Sequence, residues 1–409
     1  MESARLIAGL VRMVRDVGLA EDLAQDALLA ALEQWPGSGV PSNPGAWLMT
    51  IAKRRAVDHF RRGERLARKQ AELARDLETE EPFMPDFDAA AEDRIEDDLL
   101  RLMFICCHPV LTTDARVALT LRLLGGLTTT EIARAFLSPE PTIAQRIVRA
   151  KRSLVRARVP FEEPTPEQRA ERLDSVLEVI YLVFNEGYSA TGGDDWMRPA
   201  LCEEALRLGR VVAGLAPDVA AVHGLVALLE IQASRAAART GPTGEPILLL
   251  AQDRSRWDHL LIRRGLAALD RAEAVSDRPD PYVLQAAIAA CHARATSADE
   301  TDWQRIATLY EVLAELEPSP VVELNRAVAI AMAYGPEAGL AVLDELSEVP
   351  ALKSYHLLPS VRGDLLARLG RGEEARIEFE RAAAMTQNVR ERTLLLDRAA
   401  GATARGQMS

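Results

Sequence analysis

The sequence predicts an all-α protein, and three observations carry that reading. Apolar residues recur with the period of a helix from Leu6 to Trp35, Trp47 to Phe60, Leu99 to Leu111 and Ala115 to Leu124, and onward to the end of the chain. No stretch alternates apolar and polar side chains convincingly enough for a half-buried strand. Hydrophobic residues fill 48% of the 409 positions, which excludes a wholly disordered chain and gives two or three domains enough apolar material for separate cores.

Composition narrows the class further. No apolar run approaches the roughly 20 residues of a membrane span, and Arg5, Arg12, Arg15 and Asp16 interrupt the N-terminal segment where a secretory signal would need an apolar block. The expectation is a cytoplasmic protein with no membrane partner. Cys106, Cys107, Cys202 and Cys291 form no CxxC pair, and the Cys-Cys-His run at 106–108 lies in an apolar segment that favours buried thiols. Neither a metal, a disulfide framework nor a cofactor is indicated.

The formal net charge of -12 is unevenly spread. Residues 1–160 balance 23 basic against 23 acidic side chains, whereas 161–409 hold 26 basic and 38 acidic. Within the neutral part, residues 53–75 carry nine basic and three acidic side chains, and 76–98 carry eleven acidic and one basic. Blocks of this kind mark separate tasks.

Taken in order, residues 20–35 read as an amphipathic helix with Asp22, Gln25 and Asp26 in its first turns. Acids there complement the helix dipole, or present a docking face to a basic partner helix. "PGSGVPSNPG", residues 36–45, is too rich in Pro, Gly, Ser and Asn for helix and is expected as an ordered loop. A helix follows within residues 43–69, burying Trp47, Leu48, Ile51, Ala52, Val57 and Phe60 and showing Lys53, Arg54, Arg55, Arg61 and Arg62 on its other side. Aromatic and basic residues beside a polar loop suit single-stranded DNA, whose unstacked bases need flat surfaces and whose phosphates need cations. The acidic, proline-containing stretch 76–98 reads as a linker.

Residues 127–154 read as two helices broken by a proline-bounded turn. Thr128 with Glu131 is a capping box, and Ile132, Ala133 and Phe136 are the apolar stripe of the first helix. Pro139 and Pro141 end it, Pro141 also suiting the first turn of the next. In the second helix Ile143, Ile147, Ala150 and Leu154 share one face, while Thr142, Gln145, Arg146, Arg149, Arg152 and Arg156 lie opposite. That is a helix-turn-helix whose second helix can enter a major groove, or else a helical hairpin with a solvated basic face.

The second half is less explicit. Gly363, Leu366, Gly370, Ala375, Phe379 and Ala382 stand at tetratricopeptide spacing, Ile306, Tyr310, Leu313 and Pro318 fit one helix of another unit, and Gly335 precedes Gly370 by close to one repeat period. Residues 164–275 fit the repeat poorly. Within "FNEGY" and "QDRSRWD", Glu186, Asp253, Arg254 and Asp258 suggest helix capping and interhelical ion pairs rather than an active site, because no nucleophile with a base and no glycine-rich phosphate loop accompanies them.

The ordered set, from the acidic helix through "AWLMTIAKRRAVDHFRR" and the acidic linker to "LTTTEIARAFLSPEPTIAQRIVRAKRSL", strongly resembles an extracytoplasmic-function (ECF) sigma factor of bacterial RNA polymerase, of the sigma-70 family. "FNEGYSATGG", "QDRSRWD" and "LEPSPVVELNRAVAIA" resemble the ECF subgroup with a long tetratricopeptide-like extension. The resemblance implies a sigma-2 domain over 1–75, the linker over 76–98, a sigma-4 helix-turn-helix domain over 99–160, an irregular helical lead-in over 161–275 and helical repeats over 276–409. It implies that Asp22, Gln25 and Asp26 grip the beta-prime clamp helices of core RNA polymerase. Ser42, Asn43, Trp47, Lys53, Arg54, Arg55, Arg61 and Arg62 would hold the minus-10 element of promoter DNA, with Thr142, Gln145, Arg146, Arg149, Arg152 and Arg156 at the minus-35 element. Many members of the family carry Asn where Arg54 stands, and a first helix opening only a few residues before Leu6 leaves room for a start further upstream. The function implied is a non-catalytic specificity subunit whose repeats receive a signal or regulator protein. The alternatives are a single-component helix-turn-helix regulator whose repeats bind a ligand, and an enzyme in the C-terminal half. The acidity of residues 161–409 raises the expectation that they compete with DNA phosphate for the basic faces, or that they bind polymerase with the acids serving solubility.

Overall fold

The computed structural model describes residues 2–73, 95–136, 138–160, 166–190, 192–193, 195–353 and 355–406. Most of the linker expected over 76–98 lies outside the described residues. The chain divides into two compact units, residues 1–179 and 180–409.

In the first unit, α1 (Glu2–Val14), α2 (Val17–Ser38) and α3 (Pro44–Leu73) precede α4 (Ile95–Cys106), α5 (Thr113–Leu123), α6 (Thr129–Ala135) and α7 (Glu140–Arg156). α1 and α2 are joined by a tight corner in which Arg15 takes a positive φ of 53° and Asp16 caps α2 by accepting from Leu19 N at 2.8 Å. Leu6, Ile7, Leu10 and Val11 make α1 apolar around much of its girth, and all are buried. That distribution fits its position, for α1 packs on α2, α3, α4 and α5. Small residues let α2 approach closely: Ala20, Ala24 and Ala27 are at most 1% exposed. α4 opens at Ile95, so the last residues assigned to the linker are helical.

The expected loop over 36–45 is shorter than the sequence suggests. α2 continues through Pro36 to Ser38, and only Gly39–Asn43 separate it from α3. Proline costs little so near a C-terminus, where Gly39 at φ 80° donates its N–H to the Trp35 carbonyl at 2.9 Å and Ser38 Oγ bonds to the Gln34 carbonyl at 2.9 Å. The ring of Trp35 meets that of Trp47 across the loop, with centroids 5.5 Å apart.

The capping box forms: Thr128 N donates to Glu131 Oε2 at 2.7 Å and Glu131 N to Thr128 Oγ1 at 3.1 Å. Ile143, Ile147, Ala150 and Leu154 are all buried along α7. The four cysteines are free and buried.

α8 (Pro166–Tyr188) contains the division between the units. The second unit then runs α9 (Pro199–Leu215), α10 (Ala220–Ala233), α11 (His259–Val275), α12 (Pro281–Arg294), α13 (Trp303–Leu316), α14 (Pro320–Tyr334), α15 (Pro336–Leu346), α16 (Leu357–Arg368), α17 (Gly372–Met385) and α18 (Val389–Gly406). Each helix from α9 to α18 packs on its successor, as expected of a helical repeat array. Caps recur: Asp258, Asp280, Asp302 and Ser319 each accept from backbone N–H groups one turn ahead. The Gly363 and Phe379 pair explains itself, since a Cβ at 363 would lie 2.9 Å from the Phe379 ring. Gly370, at φ 75°, turns α16 into α17.

Within residues 164–275 stand α8, α9, α10 and α11, with 3-10 turns at Ala236–Ala238, Leu249–Ala251 and Arg254–Arg256. Two short strands, β1 (Gly192–Gly193) and β2 (Gln387–Asn388), pair in parallel. Asn388, 1% exposed, donates its amide to the carbonyls of Ala190 at 3.2 Å and Asp195 at 2.9 Å. The segment after α8 is thereby fastened to the turn before α18.

Candidate nucleic-acid interface

Two faces of the first unit carry the residues singled out from the sequence. On α2, Asp22 and Gln25 are exposed and Asp26 half-buried. Gln25 Nε2 donates to Glu21 Oε1 at 2.9 Å, and Asp26 pairs with Arg55 of α3 at 2.9 Å, joining an acidic and a basic candidate. At helical spacing beyond them stand Leu29, 56% exposed, and Leu32, 73% exposed. The other side of α2 is buried alanine and leucine, so the outward stripe combines acids with two solvated leucines.

Beside it, Ser42 and Asn43 are exposed in the five-residue loop. Asn43 caps α3, its Oδ1 accepting from Ala46 N at 3.0 Å. Trp47 is half-buried against Trp35. Arg54, Arg61 and Arg62 are exposed, Lys53 and Arg55 half-buried, and Arg62 Nε donates to the Asp58 carbonyl at 3.2 Å. On α7, Thr142, Gln145, Arg149, Arg152 and Arg156 are exposed. Arg146 differs from them, being held by Asp114 of α5 at 3.0 Å. Val148 and Val155, 45% and 54% exposed, stand among the arginines and offer the apolar contact that a thymine methyl needs.

One connection ties the two sets of helices together. Glu21 of α2, 4% exposed, accepts from Arg122 Nε at 2.6 Å and from the Lys151 ammonium on α7. Arg12 of α1 likewise pairs with buried Asp98 of α4 at 3.4 Å.

This arrangement has relatives. Sigma-70 region 2 matches residues 2–66, Sigma-70 region 4 matches 101–154, and a family of unknown function (DUF6596) matches 172–273. An uncharacterized protein of Rhizobium meliloti is 45% identical, covering 94% of this chain and 90% of its own length. A probable RNA polymerase sigma-C factor of Mycobacterium bovis is 32% identical over 36% of this chain and 73% of its own. The ECF RNA polymerase sigma factor SigK of Mycobacterium bovis is 33% identical over 37% and 78%. The chain belongs to the ECF sigma-factor family. A tetratricopeptide repeat protein of Parabacteroides merdae aligns with a TM-score of 0.35 at 14% identity, covering 66% of this chain and 98% of its own.

In this sigma factor the two matched regions coincide with α1–α3 and α4–α7. The leucines at 29 and 32 were missed by sequence reasoning, although their spacing from Asp22 and Gln25 (i+3, i+7, i+10) places them on that stripe. Nothing local could reveal the Glu21 connection, whose partners lie 101 and 130 positions away. The residues of the C-terminal motifs serve the architecture. Glu186 pairs with Arg198, Asp253 accepts from Ser255 N at 3.0 Å, and Asp258 caps α11. Arg254 ties the carbonyls of His292 and Ala295 at 2.5 and 2.7 Å. Among the described residues no group of His, Cys, Asp and Glu is placed to hold a metal ion, and no helix is long and apolar enough to cross a membrane.

Proposed function

We propose that this sigma factor, acting in the cytoplasm as a non-catalytic subunit, seats on core RNA polymerase through the outward stripe of α2. The stripe is the observation that carries the reading: Asp22 and Gln25 stand in line with Leu29 and Leu32, solvated leucines on a helix whose opposite side is buried. Acids steer a basic partner helix and leucines supply apolar area on contact. Next to it, the Gly39–Asn43 loop, Trp47 and the cations of α3 form a surface for the melted minus-10 strand. Unstacking a base costs a few kcal/mol, and stacking on an aromatic ring returns about 1–3 kcal/mol. α7 then lies in the major groove at minus-35 with Gln145, Arg149, Arg152 and Arg156 directed at bases and phosphates.

The acidic C-terminal portion tempers DNA affinity through its charge and receives a regulator protein. Transcription in vitro with core polymerase and a promoter library tests the assignment: full-length protein should direct initiation at a defined minus-10 and minus-35 pair. Binding to duplex DNA with no transcription would instead indicate a single-component regulator.

A further inference from the structure

Residues 161–409 hold 26 basic and 38 acidic side chains, yet one cleft within them is basic. It has a volume of about 460 Å³ and lies between α9, α10 and α11, where Arg210, Arg263, Arg264 and Arg271 line it. Glu230 is the sole acid among the described residues of the lining. All five fall within 172–273, the stretch matched by the family of unknown function, and none of the sigma functions uses them.

Packing of the helices places the cations. On α11, Leu260, Arg264, Ala267 and Arg271 follow one another at intervals of four, three and four residues, which is one stripe of a helix. Gly265 lets α10 come close, since a Cβ there would lie 2.6 Å from Ile231 and 3.2 Å from the Glu230 Cβ. Glu230 is left 1% exposed, and its Oε1 takes Arg210 Nε at 2.8 Å and Arg264 Nε at 3.5 Å. Arg271 Nε donates to the Ala267 carbonyl at 3.3 Å. Each of these three guanidiniums is therefore held by its Nε. Their terminal NH₂ groups, the forked end that grips phosphate bidentately, have no partner among the described residues.

The chemistry restricts the ligand. Four guanidiniums against one carboxylate leave a formal excess of three positive charges. A single carboxylate would offset one of them, whereas a phosphate carries about two negative charges at neutral pH and a second phosphate adds to that, so a diphosphate comes nearest to balance. The volume falls within the roughly 300–1,000 Å³ of small-molecule sites, and Ala213, Val226 and Leu260 supply apolar wall. A long polyanion such as DNA would extend beyond the cleft into a portion of the chain where acids outnumber bases 38 to 26. We infer that Arg210, Arg263, Arg264 and Arg271 bind the diphosphate group of a small molecule. This site stands independently of the promoter-reading faces.

The full-length protein is titrated calorimetrically with pyrophosphate, ADP, GDP and adenosine. The titrations are repeated on Arg263→Gln/Arg271→Gln, which alters two exposed arginines that do not hold Glu230. Wild type should bind at least one of the three diphosphates with a Kd below about 1 mM, and the double variant should bind it about tenfold or more weakly. Adenosine should not bind, a check made on wild type alone should the variant fold poorly. Pyrophosphate binding as tightly as the nucleotides identifies the free diphosphate as ligand, and tighter ADP or GDP identifies an ester whose body rests on the apolar wall. Equal affinity in the variant, or adenosine bound as tightly as ADP, would overturn the inference. So would wild type that ignores all three diphosphates, and a variant that then loses affinity for duplex DNA would assign the cleft to nucleic acid instead.

Discussion

Lys151, on α7, donates its ammonium to Glu21 of α2 across 130 positions of sequence. Arg122 Nε reaches the other carboxylate oxygen at 2.6 Å, so one buried acid holds two cations between the two matched regions. Replacing Glu21 by Gln leaves both cations partly buried and uncompensated. Their side chains retain 20% and 22% exposure, which moderates the cost to about 1–3 kcal/mol. Chemical denaturation of the E21Q variant should show that loss, and an unchanged midpoint would mean that water replaces the carboxylate at no cost.

Docking on polymerase is tested most cleanly at Asp22. Asp26 already pairs with Arg55, so a cation at 26 would face Arg55 as well as any partner. Asp22→Arg alters only the outward stripe, and like charges across an interface cost several kcal/mol. Core polymerase should be retained at least about tenfold less well in a pull-down, with melting unchanged; equal retention would remove Asp22 from the interface.

Reading and gripping separate at Arg149, which is exposed and on the outward face of α7. If it meets a base edge, Arg149→Ala should cost about 1–3 kcal/mol and relax choice at one minus-35 position. A phosphate contact would instead weaken all sequences alike and lower the salt slope by about one. Arg146→Ala is a less direct probe because it also frees Asp114.

How much of this was legible beforehand depended on range. The Thr128 and Glu131 box and the Ile143, Ile147, Ala150 and Leu154 stripe were readable because capping and helical period act within a few residues. Pro36 misled for a local reason, since composition does not tell an interior proline from one in a last turn closed by Gly39. The Glu21 cluster was not visible, because only folding brings residues so far apart in sequence together.

The acidic portion can be removed in a way the fold recommends. Arg116 reaches Ser175 at 3.3 Å and Glu178 at 3.6 Å, so the first half of α8 belongs with α5 and a cut after residue 179 preserves those bonds. Residues 1–179 should transcribe more strongly than full length at low salt, with the gap closing as salt rises. Lower activity of the short form would make the repeats an essential positive element.

Acid should weaken the second unit through His292. Burial, with Arg235 and Arg254 nearby, holds its pKa down at about 4 against an ordinary 6.5. A depressed histidine is neutral when folded and protonates more readily when unfolded, so stability is lost as pH falls from about 6.5 toward 4, by up to about 3 kcal/mol. Denaturation midpoints at pH 7 and 4.5 should differ, and His292→Asn should flatten the difference.

The pairing of Gly192–Gly193 with Gln387–Asn388 changes what kind of object the second unit is. A row of helical hairpins free at both ends behaves like a zipper, opening from whichever end is weaker. Here a link nearly two hundred residues long closes on itself at Asn388, so the run from α9 to α17 cannot open from either of its ends without breaking the clasp. Heat should therefore melt the unit in a single step, and a partner seated along it would meet a frame of fixed curvature instead of a spring.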